Sequence, residues 1–317
     1  MQTPAVETII ALATVLRPQS RKKCRDGDEA EFATEHWNMS TSTRAACVIG
    51  WPAKHSRSPK MHKWWLGHYG IDGDYRIEEV SPDDLPAFIG DLRGHGYIGA
   101  NVTIPHKEAA FRLTEPDERA RAVGASNTIW YDNGVLRSTN TDVEGFIGAL
   151  DAGAPGWDRS EGHAVVIGAG GAGRAVVWGL LERGIRRIHV VNRTHARAVE
   201  LAERYGDRIV PEHWENLKSV LEGAGLVANA TSLGLKGNPD LDVDLSGMAA
   251  GAVVADINYV PLETKLLTQA RRLGLARADG LDMLLYQAVT GFDLWFGVRP
   301  QVTPELRELL ARDIPKS

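Results

Sequence analysis

The stretch "HAVVIGAGGAGRAVVWGLLERG" restricts what this chain can fold into more than any other. An apolar run ends at Ile167, Gly168, Gly170 and Gly173 follow as G-x-G-x-x-G, and a helical run begins at once. Strand, tight turn and helix satisfy that order. The glycines permit the tight turn and let a pyrophosphate approach the helix N-terminus. The N–H groups and dipole at the start of such a helix attract phosphate, so the motif points to a bound dinucleotide. A glycine triplet without this context is more often a plain turn; here the three parts fall in register.

The next strand, "RRIHVVNRT", bears on which dinucleotide. An NAD site usually carries Asp or Glu about 20 residues after the glycines, to bond the ribose 2′-hydroxyl. This chain has Asn192, Arg193 and Thr194 there, with Arg197 one helical turn further on. An acid would repel a 2′-phosphate, whereas two arginines and a hydroxyl would bind it through charge-assisted hydrogen bonds. NADP(H) is therefore the expected cofactor. The alternative from residues alone is a pair of solvated surface arginines.

Upstream, "AACVIG", "SPKMHKWWLGHYG", "DYRIEEV", "PDDLPAFIGDL" and "YIGANVTI" alternate strand-like with helical patterns, which predicts βα units on a mostly parallel sheet. "SNTIWYDNGVLRSTNTD" reads as two strands about a hairpin turn at Asn133-Gly134. At 317 residues the chain is long for one domain and suits two, each with its own core. Composition alone would draw their boundary at the "GAPG" loop, after which the alternation restarts.

Charge and composition narrow the function. A net charge of −5 with scattered Lys and Arg offers no basic patch for nucleic acid, and no apolar run reaches the length of a membrane span. The two cysteines, Cys24 and Cys47, form no disulfide framework or zinc spacing, and a reducing cytoplasm is the expected location. The ten histidines show no metal-ligand spacing, so His55, His62 and His106 are expected at the surface or behind a site, and no metal is expected. Residues 1–43 lack sustained periodicity and are expected to form a loose extension, with Met39 an alternative initiator. Of Trp64-Trp65, one ring is expected in the core.

A nicotinamide needs a partner that moves a proton while hydride moves. Lys107, in "NVTIPHKEAA", follows Pro105, whose fixed φ suits the first turn of a helix, and so would stand at the carboxyl end of a parallel strand, where open α/β sheets bind ligands. A lysine there can equally be an ordinary solvated residue. Asp142 is the possible partner, or else only the cap of a helix starting at Val143. Ser58-Pro59 reads as an N-cap with proline at N1, a setting that favours an anion.

Beside this reading, "VIGWPAKHSRSPKMH", "GANVTIPHK", "GASNT", "NTD", "GAGGAGRA", "NRT", "NATSLG", "DINYVPLET" and "GLDMLLYQA" resemble, in this order, the motifs of the shikimate dehydrogenase family. The resemblance runs from about Cys47 to Gly297. It implies an enzyme with two α/β domains flanking a cleft, the second a Rossmann-type dinucleotide-binding domain. Residues 44–141 plus 280–317 would form the substrate-binding catalytic domain and 142–279 the NADP-binding domain. It further implies that Lys107 and Asp142 are the catalytic pair. Ser56 and Ser58 would bind the substrate carboxylate, with Thr103, Asn127, Tyr259 and Gln287 at or beside its hydroxyls. For the cofactor it implies Gly168, Ala169, Gly170, Gly171, Ala172, Asn192, Arg193, Thr194, Arg197, Thr231, Ser232, Ile257 and Gly280. The implied reaction is the reversible NADPH-dependent reduction of 3-dehydroshikimate to shikimate. Partners are expected to be the small-molecule substrate alone, with a monomer or homodimer as the assembly. Leu235 and Lys63 depart from the family's usual methionine and asparagine without touching the inferred chemistry. Alternatives are a quinate/shikimate dehydrogenase using NAD or both cofactors, and a non-catalytic NADP-binding sensor.

Overall fold

The computed structural model describes residues 44–159 and 162–316. The extension expected over residues 1–43 lies outside this range. Two six-stranded sheets organise the described chain.

The first sheet is built from β1 (Arg44–Gly50), β2 (Gly73–Glu79), β3 (Tyr97–Val102), β4 (Glu115–Pro116), β5 (Thr128–Asp132) and β6 (Val135–Thr139), in the order β2-β1-β3-β5-β6-β4. Helices α1 (Ser58–His68), α2 (Leu85–Gly90), α3 (Lys107–Leu113) and α4 (Glu118–Val123) connect them. Of these strands β5 alone runs against its neighbours. The cause is the expected hairpin: Asp132 pairs with Val135, and Asn133 and Gly134 between them take φ of 48° and 82°, which a two-residue turn of that hand requires.

The chain then enters α5 (Asp142–Gly153) and a second sheet of β7 (Ala164–Ile167), β8 (Ile188–Val191), β9 (Ile209–Glu212), β10 (Leu226–Asn229), β11 (Val253–Asp256) and β12 (Ala276–Asp279). Between them lie α6 (Gly171–Glu182), α7 (His195–Tyr205), α8 (Leu217–Leu221) and α9 (Lys265–Arg272), and α10 (Gly280–Phe296) and α11 (Pro304–Ala311) follow. The order β12-β11-β10-β7-β8-β9 is parallel throughout. Such a sheet is covered on both faces, and its β7, β8, β10 and β11 are accordingly buried at every position. Strand order reverses between β7 and β10, which opens a crevice at their carboxyl ends.

Helices α5 and α10 lie against each other between the two sheets, and they feed different cores. Phe146 and Leu150 of α5 pack with Val176 and Leu180 against the second sheet, whereas Leu285, Val289 and Phe292 of α10 pack with Trp65 and Tyr75 under the first. Trp65 supplies the expected core ring. Gly148 permits the close approach of the two helices, since a Cβ there would stand 2.5 Å from Cγ of Tyr286. The "GAPG" stretch begins at the last residue of α5, so the chain has joined the second core before composition changes. No described helix is long and apolar enough to cross a membrane.

Candidate active site

A cavity of about 600 Å³ opens at the carboxyl ends of β1 and β3 and reaches Ala172 in the first turn of α6. Lys107, Asp142, Ser56, Ser58, Thr103 and Asn127 line it from the first sheet's side. Gln287, Tyr259, Ile257, Gly280 and Ala172 line it from the other.

Lys107 is the first residue of α3, and its carbonyl accepts the Ser126 N–H at 2.9 Å, which ties the helix start to the segment before β5. Its Nζ donates to Asp142 Oδ2 at 2.5 Å. The other carboxylate oxygen of Asp142 accepts from Asn127 Nδ2 at 2.9 Å, and Nδ2 also donates to Gln287 Oε1 at 3.1 Å. Asn127 has a fixed orientation because its Oδ1 accepts the Thr141 N–H at 2.7 Å. The carboxylate is thus aimed before any substrate arrives. The Asp142 side chain is 9% exposed and that of Lys107 is 23% exposed, so the ammonium keeps an open side toward the cavity.

Three local expectations are corrected. Pro105 stands in the turn, two residues ahead of α3, because His106 occupies the capping position. Asp142 is inside α5 as its first residue, behind Thr141, and makes no capping bond. Its carboxylate goes to Lys107 and Asn127 instead. Ser58 is also a first helical residue, behind Arg57, with Pro59 second. Ser56 Oγ accepts the Ser58 N–H at 3.3 Å and does the work expected of a cap. Both serines and the start of α1 therefore face the cavity together, a place suited to an anion.

Gly168 has φ of 110°, and a Cβ there would come within 2.9 Å of the Ala230 carbonyl oxygen. A Cβ on Gly173 would stand 2.2 Å from the Gly168 carbonyl oxygen, whereas one on Gly170 would meet no protein atom within 4 Å. The turn is thus closed toward the protein and open on the outside, which fits a pyrophosphate. Ala169 N–H donates to Asn192 Oδ1 at 3.1 Å, and Asn192 Nδ2 donates to the Thr194 carbonyl at 2.8 Å. Asn192 therefore joins the turns after β7 and β8. Arg193, Thr194 and Arg197 are exposed, and no carboxylate pairs with either arginine among the described residues. This unopposed pair fits a 2′-phosphate. Gly171 opens α6, and Ser232 is exposed beyond β10. The Thr231 hydroxyl is committed to its own turn, donating to Asn229 Oδ1 and accepting from Leu233 N–H. These residues lie along the carboxyl edge of the second sheet, outside the cavity lining.

Other site residues were not singled out by the sequence. Asn101 lines the cavity and is held by Tyr75, whose hydroxyl donates to its Oδ1 at 2.6 Å. Its place at the end of β3, in the same motif as Lys107, was the available signal. Asp256 is buried behind the turns after β10 and β11, accepting from Asn229, Asn258 and Thr264. That burial pushes its carboxyl up to about 6. Of the three histidines, His55 lines the cavity. His106 is buried with Nε2 on the Val80 carbonyl at 2.7 Å. His62 is core, stacked on Tyr75 at 4.0 Å, and burial lowers it to about 3. His62 thus takes the expected place behind the site, under the Tyr75 that holds Asn101.

Comparison with known proteins agrees with this geometry. Residues 48–129 match the family described as shikimate dehydrogenase substrate binding domain. Residues 156–235 match shikimate / quinate 5-dehydrogenase, and residues 280–305 match the shikimate 5′-dehydrogenase C-terminal domain. The chain is 62% identical over 276 residues to a shikimate dehydrogenase (NADP(+)) of Rhodopseudomonas palustris strain TIE-1, covering 87% of this chain and 99% of that one. It is similar to the crystal structure of shikimate 5-dehydrogenase from Thermus thermophilus in complex with NADP(H) and shikimate. That similarity has a TM-score of 0.75 at 37% identity, covering 85% of this chain and 98% of the other. It is also similar to quinate dehydrogenase from Corynebacterium glutamicum in complex with NAD, with a TM-score of 0.77 at 32% identity, covering 84% and 98%.

Proposed function

The chain belongs to the shikimate dehydrogenase family, and from that premise we propose that it interconverts 3-dehydroshikimate and shikimate with NADP(H), Lys107 and Asp142 carrying the proton chemistry. The observation that carries the reading is the bond of 2.5 Å between Lys107 Nζ and Asp142 Oδ2, in a cavity that also touches Ala172 at the start of α6.

When bound, the reduced dinucleotide supplies hydride to the carbonyl carbon. Lys107 supplies the proton that the developing alkoxide needs, and takes it back in the oxidation direction. Asp142 aims the lysine and balances its charge, and Asn127 aims Asp142. Ser56 and Ser58 at the start of α1 suit the substrate carboxylate. Thr103, Tyr259, Asn127 and Gln287 suit its hydroxyls; Gln287, with its oxygen on Asn127, offers Nε2 as a donor. Gly168 to Ala172 suit the pyrophosphate and Arg193, Thr194 and Arg197 the 2′-phosphate, with Asn192 supporting that loop. Thr231, Ser232, Ile257 and Gly280 belong to the nicotinamide end. In this reading residues 44–141 plus 280–317 act as the substrate domain and 142–279 as the cofactor domain. The enzyme is cytoplasmic, which the buried free thiol of Cys47 suits, and works on its small-molecule substrate as a monomer or homodimer.

Steady-state rates with shikimate and quinate, each with NADP⁺ and NAD⁺, test the proposal. The expected result is a kcat/KM highest for shikimate with NADP⁺ by about tenfold or more, on the difference that one or two charged bonds to a phosphate make. Equal or faster turnover of quinate with NAD⁺ would instead identify a quinate/shikimate dehydrogenase. Binding of NADP⁺ without turnover of any pair would identify a sensor.

A further inference from the structure

Glu108, the residue after Lys107, is bonded across the cleft. Its Oε1 accepts from Arg174 Nη2 at 2.6 Å. Arg174 belongs to the first turn of α6, and its Nη2 lies 3.9 Å from where a Cβ on Gly171 would stand. The guanidinium therefore flanks the turn suited to a pyrophosphate. Its Nε–H is buried with no partner, so the group is held in place by Glu108 and not by a full set of bonds. The pair is not a stability device, since the Glu108 side chain is 59% exposed and such ion pairs contribute little to folding. What it joins is more telling. Lys107 ties the start of α3 to the segment before β5 through its carbonyl and to Asp142 through its ammonium, and one residue later Glu108 ties the same turn to the cofactor side.

We propose that Arg174 is a positioning residue that, held by Glu108, presents its remaining Nη donors to the pyrophosphate of the bound dinucleotide and so couples cofactor loading to the placement of Lys107. The inference rests on the cofactor and lysine roles given under the proposed function. A guanidinium has five N–H donors in a planar fork, of which Nη2 alone spends one on Glu108. Phosphate oxygens are matched by that fork and not by an ammonium. A small displacement of a catalytic group is costly: about 1 Å can cost roughly a hundredfold in rate.

The test uses the full chain as R174A, R174K, E108Q and R174A/E108Q. Kd for NADP⁺ is read directly from intrinsic tryptophan fluorescence, beside kcat and KM for shikimate. R174A is expected to raise the NADP⁺ Kd by about tenfold, the loss of one charge-assisted contact. R174A and E108Q are each expected to lower kcat by roughly fivefold, with shikimate KM within about twofold. The double variant should lose no more kcat than R174A alone, because the two residues act as one unit. R174K should recover Kd only in part, since an ammonium supplies the charge without the fork, and leave kcat low. An unchanged Kd in R174A, an unchanged kcat in E108Q, or multiplicative kcat losses in the double variant would overturn the proposal. Wild-type protein that binds NADP⁺ but turns over no shikimate would defeat the proposed function instead, and the Kd comparison would still decide whether Arg174 meets the dinucleotide.

Discussion

Lys107 owes its position to groups that local sequence does not make conspicuous. Asp142 is 35 residues away along the chain, and Asn127, which aims that carboxylate, is itself oriented by the backbone N–H of Thr141. If Lys107 delivers the proton at the reacting oxygen, Lys107→Ala lowers kcat by about 10²–10⁴ while shikimate KM changes little, as steady-state kinetics would read. A rise in KM with kcat intact would make the lysine a binding residue. The residues and the pairing of Lys107 with Asp142 were legible in the motif order, and the bond by which Asn127 aims that carboxylate was not. Ser58 looked like a cap because serine before proline usually is one, yet Ser56, two residues earlier, accepts the Ser58 N–H. Asp142 looked like a cap because an acid just before a helical run often is one, and its carboxylate found stronger partners in an ammonium and an amide. Local propensity sees what a side chain can do with its own backbone; it is blind to competitors brought in by the fold.

At the scale of the element, the turn after β7 shows what pattern carries and where it stops. Strand, glycines and helix were legible because all three signals are local, as was the Asn133-Gly134 hairpin. Which glycine does what was hidden, since the three letters are alike. The contacts separate them. Gly173 faces the Gly168 carbonyl, backbone against backbone, and Gly170 faces no protein atom. Gly173→Ala is therefore expected to cost about 1–3 kcal/mol of folding stability in urea unfolding, since neither main chain can yield cheaply. Gly170→Ala should stay within about 0.5 kcal/mol of wild type in the same measurement. It should nevertheless weaken NADP⁺ binding by about tenfold, because the added methyl stands where the backbone is meant to be approached. Equal stability losses in both variants would refute this division of labour. Pro105 illustrates the opposite case: its φ allowed the first helical turn, and the helix began two residues later.

Across the whole molecule, the feature least legible was the crossing of the chain between sheets. Helix α5 leaves the first sheet and joins the second core, and α10 leaves the second sheet and joins the first. Composition does not change at either point, because a helix that packs on a distant sheet looks like one that packs on a near one. The crossing helices bring Asp142 and Gln287 to the same cavity, while the turns after β10 and β11 reach it from the other side through Ile257 and Tyr259. Those turns are held by Asp256, which makes the stability of the molecule depend on pH. Burial holds the Asp256 carboxyl at about 6, against about 3.9 for an aspartate in an unfolded chain. Between those values the folded state keeps a proton that the unfolded state has released. The stability from this group is thus complete below about pH 3.9 and is lost as pH rises to about 6, an effect on the order of 2–3 kcal/mol. Asp256→Asn cannot titrate. Measured by urea unfolding, the variant should gain on wild type by about 2 kcal/mol between pH 4.5 and pH 7.5, whatever its constant offset, since every other ionisable group is shared. A gap that stays the same at the two pH values, or that moves in favour of wild type, would mean that the carboxylate is not held against its charge and that the turns beside the cavity are fixed by their amides and hydroxyls alone.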